Sequence, residues 1–457
     1  MTAAARLLAT RVVLLLAAGL GEPASAETLP DALRRAYLGN PTLNAGRAAL
    51  RATDEDVPRA LSGYRPSVVA GASVGASYLT GRNEDVRFRE TLVPRQVAVQ
   101  VTQNLFNGFR TANATRQAES QVLSGRETLR QTEQDTLLGA AQAYMDVLRD
   151  TAILDLQRNN VDVLDEQLRQ TRERNIAGQV TRTDVAQAES RLAASRSQAS
   201  LAEANLQASL ATYRRIVGVQ PRQLAPGRSP DRLLPATLAK AVALATSSHP
   251  ALRSALHGVD VAELQVKVVE GELAPSVNLV GSVGQSYAAE LPGDRTLSAA
   301  ILGQVTIPIY EGGETYARVR QAKETAGQRR IEAEVTRDTV RAGIVSAWGA
   351  LESAKANVLA ADAQVRASEV ALAGVREEAR QGQRTTLDVL NQQQELLVAR
   401  VNLVVAQRDR VVGAFAVVAA VGSLSAQALG LEVRYRPDIH YKQVRDLPWG
   451  LGTPDGR

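Results

Sequence analysis

Apolar residues recur at helical spacing along two long stretches that contain no proline. In the first, from about Thr111 to Ile176, the residues that recur every seven positions are Val147, Leu154, Val161 and Leu168. A helix of this length would be about 100 Å long, more than a globular core can bury. Because heptad spacing keeps one apolar stripe facing a partner helix, the stretch predicts one arm of a coiled-coil hairpin that turns at Gly178.

The same pattern returns 204 positions later in the chain. The matching apolar residues are Leu351, Val358, Val365 and Leu372, and Gly382 corresponds to Gly178. We therefore interpret the chain as two copies of one antiparallel hairpin. Long helices are predicted over about 109–177 and 313–381, and the helices that follow the turns over about 182–217 and 386–421.

A different pattern, with a period of two, precedes each long helix. Apolar residues alternate with small or polar ones along residues 68–78, and the alternation returns at an offset of 209, where Val277, Leu279, Val283 and Tyr287 fall on the apolar side. This pattern predicts strands over about 66–79 and 96–105 in the first copy, and over about 275–288 and 298–309 in the second. A polar loop, Thr80 to Arg95, is expected between the first two strands.

The remaining segments complete the predicted organisation. Residues 1–26 have the form of a secretory signal peptide, with Arg6 and Arg11 before an apolar run and small residues at 24–26. The first repeat covers 27–220, a proline-rich connector 221–235, the second repeat 236–422 and a tail 423–457. No function is assigned to the tail.

Composition excludes several classes of protein. The chain has no cysteine, and its formal net charge of +5 is spread along the helices, which argues against a nucleic-acid partner. The apolar runs at 12–20 and 411–421 are too short for a transmembrane helix. The three histidines, His249, His257 and His440, have no metal-ligand spacing, and no glycine-rich stretch opens a helix as a phosphate loop would. We therefore expect no enzyme activity, cofactor or metal.

Four strands in one chain leave two open sheet edges, which a bilayer does not tolerate. Closure must then come from other copies: two would give a filled eight-stranded barrel, and three a twelve-stranded barrel with a lumen. We favour the trimer, in contact with outer-membrane lipid through an aromatic girdle that includes Tyr78 and Tyr287. A small soluble sandwich is the alternative interpretation of the strands.

The order of short motifs in the two copies resembles the TolC-like family of outer-membrane efflux proteins. The motifs are Asn40-Pro41 and His249-Pro250 at the start of each copy, Tyr64-Arg65-Pro66-Ser67 and Ala274-Pro275-Ser276 before the strands, Leu105-Phe106-Asn107-Gly108 and Ile309-Tyr310-Glu311-Gly312 before the long helices, and the turns Ala177-Gly178 and Gln381-Gly382. The resemblance covers essentially the whole chain after the signal segment.

The resemblance implies a mainly α protein with a membrane β-barrel: a homotrimer whose 12-stranded barrel continues into a 12-helix coiled-coil tunnel across the periplasm of a Gram-negative bacterium. Such a channel is the passive exit duct of a tripartite pump for drugs or small toxic molecules, or for polypeptides in type I secretion. Its partners would be a periplasmic adaptor and an inner-membrane transporter of the ABC or RND type. A mature chain without cysteine would belong to the unlipidated branch. The main alternative is a periplasmic coiled-coil adaptor, although two hairpins with strands before each argue against it.

The resemblance also implies a gate at the periplasmic tip. The matching positions of this chain are Asp184, Arg384 and Asp388, with Glu173 on the facing long helix. Charges around a narrow pore can hold neighbouring hairpins together and attract cations. An alternative for both aspartates is helix capping, since each lies three residues after a threonine. Arg384 precedes the cap and has less structural reason to be there, so it is the preferred gate residue.

Two departures from the family pattern fall near the turns. Where the family places a tyrosine, three residues before the turn glycine, this chain has Ala379, and where it carries a second acidic ring, this chain has Asn391. The resemblance therefore implies a closed state held by other contacts and a weaker block by cations.

Overall fold

The computed structural model describes residues 26–83, 86–289, 293–433 and 435–454. The predicted signal peptide lies outside these residues except for its last position. The chain forms two compact units, and each draws segments from both sequence repeats. Unit 1 comprises the described parts of 1–44, 132–249 and 341–433, and unit 2 those of 45–131, 250–340 and 434–457.

The helices within the described ranges are, in chain order, α1 Leu29–Gly39, α2 Pro41–Asp54, α3 Asp56–Leu61, α4 Arg110–Ile176, α5 Arg182–Val217, α6 Leu238–Ser248, α7 Pro250–Glu270, α8 Glu314–Arg380, α9 Thr386–Val421 and α10 Asp438–Val444. The long helices α4 and α8 each have 67 residues, and α5 and α9 each have 36. Their ends agree with the predicted bounds within one residue. Equal lengths follow from the constant offset between the two copies.

The strands are β1 Ser67–Val74, β2 Ser77–Asn83, β3 Val86–Leu92, β4 Arg95–Asn107, β5 Ser276–Tyr287 and β6 Arg295–Thr306. Four of them form an antiparallel sheet in the order β1-β4-β5-β6, and β2 pairs with β3 in a separate two-stranded sheet. Within the described residues β1 and β6 are therefore the outer strands of the larger sheet.

The prediction of a polar loop over Thr80–Arg95 is wrong, because β2 and β3 form a hairpin there. The predicted strand 66–79 is instead two strands, broken at Gly75, whose N–H donates to the carbonyl of Pro94 (3.0 Å). Proline has no N–H, so pairing between β1 and β4 cannot continue past residue 94. The last strand ends at Thr306 rather than 309, and Pro308 explains the difference in the same way.

The register of the four-stranded sheet confirms the predicted alternation between its two faces. One face carries the cross-strand rows Ala72–Val97–Gln285–Leu297, Ala70–Val99–Val283–Ala299 and Val68–Val101–Gly281–Ile301. The other face carries the rows Ser73–Gln96–Ser286–Thr296, Gly71–Ala98–Gly284–Ser298 and Ser67–Thr102–Val280–Leu302. Large side chains on the first face are exposed, with Ile301 82 % accessible and Leu297 72 %. This sheet therefore has an apolar face that no part of the described chain covers.

Unit 1 has a core in which two tyrosines are fully buried. Tyr144 of α4 and Tyr213 of α5 lie with their ring centroids 6.4 Å apart. The hydroxyl of Tyr144 lies 2.8 Å from the carbonyl oxygen of Glu27 and 2.6 Å from that of Ala225. Burial raises the pKa of Tyr144 to about 12, so the phenol stays protonated and can donate. It thereby ties the segment before α1 and the connector to the long helix.

Replacing Tyr144 by phenylalanine should lower the free energy of unfolding by about 1–2 kcal/mol, because the buried hydroxyl that the Glu27 and Ala225 carbonyl oxygens share as a donor is lost while the packing of the ring is kept. Chemical denaturation of the detergent-solubilised protein measures the change. Tyr316→Phe is the matched control: that ring is 53 % accessible, and its variant should stay within about 0.5 kcal/mol of the parent. Equal stability of the two variants would contradict this role of the hydroxyl.

Unit 2 holds part of the tail that the sequence analysis left without a function. Helix α10 packs its Tyr441 against a buried cluster formed by Val57, Ala118 and Val122. His440 of α10 is also buried, and its Nδ1 lies 3.1 Å from Oδ2 of Asp54 at the end of α2. The tail of the chain thus completes the core of this unit.

No helix in the described ranges is both long enough and apolar enough to cross a membrane.

Candidate functional site

The two helical hairpins of unit 1 end in turns of the same form, which we call turn 1 (177–180) and turn 2 (381–384). Each closes with an N–H that reaches back five residues: Gln179 donates to Arg174 and Gln383 to Glu378, both at 2.9 Å. The glycines lie in the left-handed region, with φ of +73° at Gly178 and +77° at Gly382. Glycine adopts this conformation without the steric cost that other residues incur, which explains its use at both turns.

The aspartates predicted for the gate are both helix caps. At the start of α5 the N–H and hydroxyl of Thr181 each donate to Asp184 at 2.8 Å, and the Asp184 N–H donates to the Thr181 hydroxyl at 3.2 Å. Thr385 and Asp388 form the same capping box at the start of α9. Hydrogen bonds from the threonines lower the pKa of both aspartates, so they stay ionised near neutral pH. The capping alternative is therefore confirmed, and it is compatible with a second role.

Arg384 has a structural partner that the sequence analysis missed. Its Nε donates to Oε2 of Glu378 at 2.9 Å, across turn 2 of the same hairpin. This carboxylate raises the pKa of Arg384, and Asp388 adds a smaller effect of the same sign. Glu378 lies six residues earlier on α8, a spacing with no local motif, so only the folded turn brings the two charges together. Arg384 therefore has an ion-pair partner within its own hairpin, and its role in the gate stays a prediction.

Glu173 forms its ion pair within its own helix. Its Oε1 accepts from Nη1 of Arg169 at 3.0 Å, and the same guanidinium holds Glu166 at 2.6 Å. Ion pairs one helical turn apart on an exposed surface contribute little to stability. Each of the four predicted gate residues therefore has a partner within its own hairpin: Glu378 for Arg384, Thr385 for Asp388, Arg169 for Glu173 and Thr181 for Asp184.

Polar contacts join the two hairpins below the turns. In one, Nε of Arg408 on α9 donates to Oδ1 of Asp146 on α4 at 2.8 Å. Another involves a position where this chain departs from the family pattern. Nη2 of Arg191 on α5 donates to Oδ1 of Asn391 on α9 at 2.9 Å. Ala379, the other departure, lies beside a buried cluster of Leu372, Val389 and Leu396. Ala379 also lines a groove of about 800 Å³ to which both hairpins contribute. A small residue here leaves this groove open, and the Arg191–Asn391 bond provides a link between the hairpins.

The two tyrosines predicted for an aromatic girdle lie in different sheets of unit 2. Tyr287 is the last residue of β5 in the four-stranded sheet, where it pairs with Arg95 on one side and Arg295 on the other. Tyr78 lies in the β2–β3 hairpin opposite Thr91. Both side chains are exposed, but the break at Gly75 means that they are not equivalent positions of the two repeats.

Comparison with known proteins identifies the family. The model for the outer membrane efflux protein family matches residues 32–219 and 241–423. The chain belongs to this family. It is 42 % identical to the outer membrane efflux protein BepC of Brucella suis over 96 % of this chain and 94 % of that protein. It is 26 % identical to the alkaline protease secretion protein AprF of Pseudomonas aeruginosa over 68 % of this chain and 66 % of that one.

Solved structures support the same fold. The outer membrane channel CmeC of Campylobacter jejuni superposes with a TM-score of 0.79 at 17 % identity, covering 91 % of this chain and 89 % of that one. The resemblance noted from the sequence and the predicted fold class are confirmed. This outer membrane efflux protein is therefore a Gram-negative outer-membrane protein that reaches into the periplasm, and its family consists of transport channels rather than enzymes.

Proposed function

We propose that three copies of this efflux protein form a passive exit duct across the outer membrane and periplasm. The observation that carries the proposal is the four-stranded sheet with an uncovered apolar face and two outer strands, β1 and β6. In a bilayer these strands need partners, and pairing β6 of one copy with β1 of the next would close a twelve-stranded barrel around the polar face. The four long helices of each copy would continue it as a twelve-helix tunnel.

The cargo is a drug or small toxic molecule, or a polypeptide exported by type I secretion. BepC is by name an efflux protein and AprF a protease secretion protein, so relatives of both kinds exist. The greater identity to BepC favours small-molecule efflux. A periplasmic adaptor and an inner-membrane transporter of the ABC or RND type would supply the cargo. Family membership favours the channel over the adaptor alternative.

The periplasmic gate would be held by contacts within and between the hairpins of unit 1. Glu378 fixes Arg384 in turn 2, and Arg191 holds Asn391 of the second hairpin from the first. Both pairs are exposed, so they can rearrange at little cost when the hairpins separate. Asp184, Asp388 and Glu173 would add negative charge near the entrance.

Planar-bilayer recording tests the channel and its gate together. The mature protein should insert and conduct ions, and Arg191→Ala, which removes the polar link between the hairpins that lies nearer the turns, should raise the single-channel conductance. Asn391→Asp should lower it, because a carboxylate would pair with Arg191 more strongly than the amide does. Arg384→Ala and Glu378→Gln should raise the conductance equally if they act as one pair. Exposed Arg366→Gln on α8 lies outside these contacts and is the control.

Absence of any ion conduction by the wild-type protein would overturn the proposed channel function. Conduction by a channel whose conductance is unchanged in the Arg191 and Arg384 variants would overturn the gate alone and leave Asp184 and Asp388 as helix caps only.

A further inference from the structure

A row of three charged and aromatic side chains ends the apolar face of the four-stranded sheet. Arg95, Tyr287 and Arg295 are direct cross-strand partners. Arg95 begins β4, which ends at Asn107 just before α4, so the row lies at the end of the sheet remote from the long helix. The next row on the same face lies closer to the helix. In it Gln285 of β5 is flanked by two apolar residues, Val97 of β4 and Leu297 of β6.

The two arginines of this row are exposed and have no carboxylate partner among the described residues. The guanidinium carbon of Arg295 lies 5.5 Å from the centre of the Tyr287 ring, a distance at which the ring attracts the cation. Arg318, near the helical end of the strands, instead pairs with Glu272. The side-chain oxygen of Gln285 accepts from Nη2 of Arg295 at 2.8 Å, which leaves the outer N–H groups of this guanidinium for an anion from outside the chain. Arg95 lies on the other side of Tyr287 in the same row.

This arrangement has the chemistry of a site for a phosphorylated lipid. An acyl chain can cover the exposed side chains of the apolar face, such as Leu297 and Ile301, while a phosphate at the rim accepts hydrogen bonds from arginine. A tyrosine at the same level suits the boundary between the acyl and headgroup regions. A soluble anion would use the arginines but would gain nothing from the apolar rows.

We propose that Arg95 and Arg295, on either side of Tyr287, bind the phosphate groups of an outer-membrane lipid whose acyl chains lie on the apolar face. The site rests on the proposed channel, since that function places this face in the bilayer. In a trimer the row would occur three times around the barrel. Such a site would anchor the outer end of the barrel at a defined depth in the membrane.

The test measures binding of bisphosphorylated lipid A to the mature protein in detergent by native mass spectrometry. Arg95→Gln/Arg295→Gln should weaken binding by about 30-fold, because each basic residue near an anionic headgroup contributes about one kcal/mol. The double variant Arg95→Lys/Arg295→Lys keeps both positive charges and should bind lipid A within a few-fold of the parent's affinity. Arg89→Gln is the matched control, since it removes an exposed charge from β3 of the neighbouring hairpin, and it should leave binding unchanged.

Dephosphorylated lipid A should bind the parent about as weakly as lipid A binds the Gln/Gln variant, and inorganic phosphate should not compete. Binding of lipid A to the Gln/Gln variant with parental affinity would overturn the site, as would full competition by inorganic phosphate. Binding in detergent requires no conduction. A parent that binds through these arginines but never conducts would therefore contradict the channel and support the site.

Discussion

Gly108→Ala should be among the most destabilising small substitutions in the chain, with an expected loss of about 3 kcal/mol or more. Gly108 lies between β4 and α4 with φ of +65°, and a Cβ there would collide with the carbonyl oxygen of Gly271. Gly271 is itself constrained, because its own Cβ would lie 2.5 Å from the Gly108 carbonyl oxygen. Both clashes are with backbone, which cannot move aside as a flexible side chain can.

The second repeat supplies the control for this prediction. Gly312 has the same φ of +65°, yet no atom of the described residues lies within 4 Å of the position its Cβ would take. Gly312→Ala should therefore cost only the left-handed strain, about 1–2 kcal/mol. Thermal and chemical unfolding of the two variants in detergent give the comparison. If both lost the same stability, the close approach of the backbones at Gly108 and Gly271 would be excluded.

His440→Leu should lower the free energy of unfolding by about 3–5 kcal/mol at neutral pH, because it leaves the carboxylate of Asp54 buried without its imidazole partner. Asp54 is 0 % accessible, and no described atom bonds its Oδ1. Arg126 and Glu55 are the other charged groups near the pair, and Glu55 lies 3.8 Å from the second ring nitrogen. The double variant Asp54→Asn/His440→Leu should recover much of the loss, since the buried charge is gone.

The pH dependence of the His440→Leu variant follows from the buried carboxyl. Burial raises the pKa of Asp54, so the folded state takes up its proton at a higher pH than the unfolded chain, whose ordinary value is 3.8. The penalty for the buried charge should therefore shrink as the pH falls through the raised pKa toward 3.8. His257→Leu is the control, because that ring is partly exposed and pairs with exposed Asp260 at 3.5 Å. A loss in His440→Leu no larger than in His257→Leu would contradict the buried pair.

The sequence predicted the long helices well because a period of seven residues, kept over about six turns from Val147 to Leu168, is typical of a long helix that packs along a partner helix. It also placed Asp184 and Asp388, since a capping box is a local pattern of four residues. The β2–β3 hairpin was missed because polar residues such as Thr80 and Glu90 favoured a loop, although Val86 and Phe88 alternate with Arg87 and Arg89.

Contacts between residues far apart in the chain could not be predicted from the sequence either. The hydrogen bond between Arg384 and Glu378 forms because turn 2 brings the two side chains together. Arg191 bonds Asn391, which belongs to the other repeat. The two repeats made Gly108 and Gly312 look equivalent, although only Gly108 lies against another backbone segment. Internal repetition thus predicts which elements recur, whereas their surroundings differ between the copies.

The central claim is that three copies of this chain close one barrel. Native mass spectrometry of the mature protein released from detergent counts the copies directly. The account predicts a single species of three chains, because the outer strands β1 and β6 each need a partner and a trimer closes twelve strands around an open lumen. A stable species of one chain or of two would contradict it.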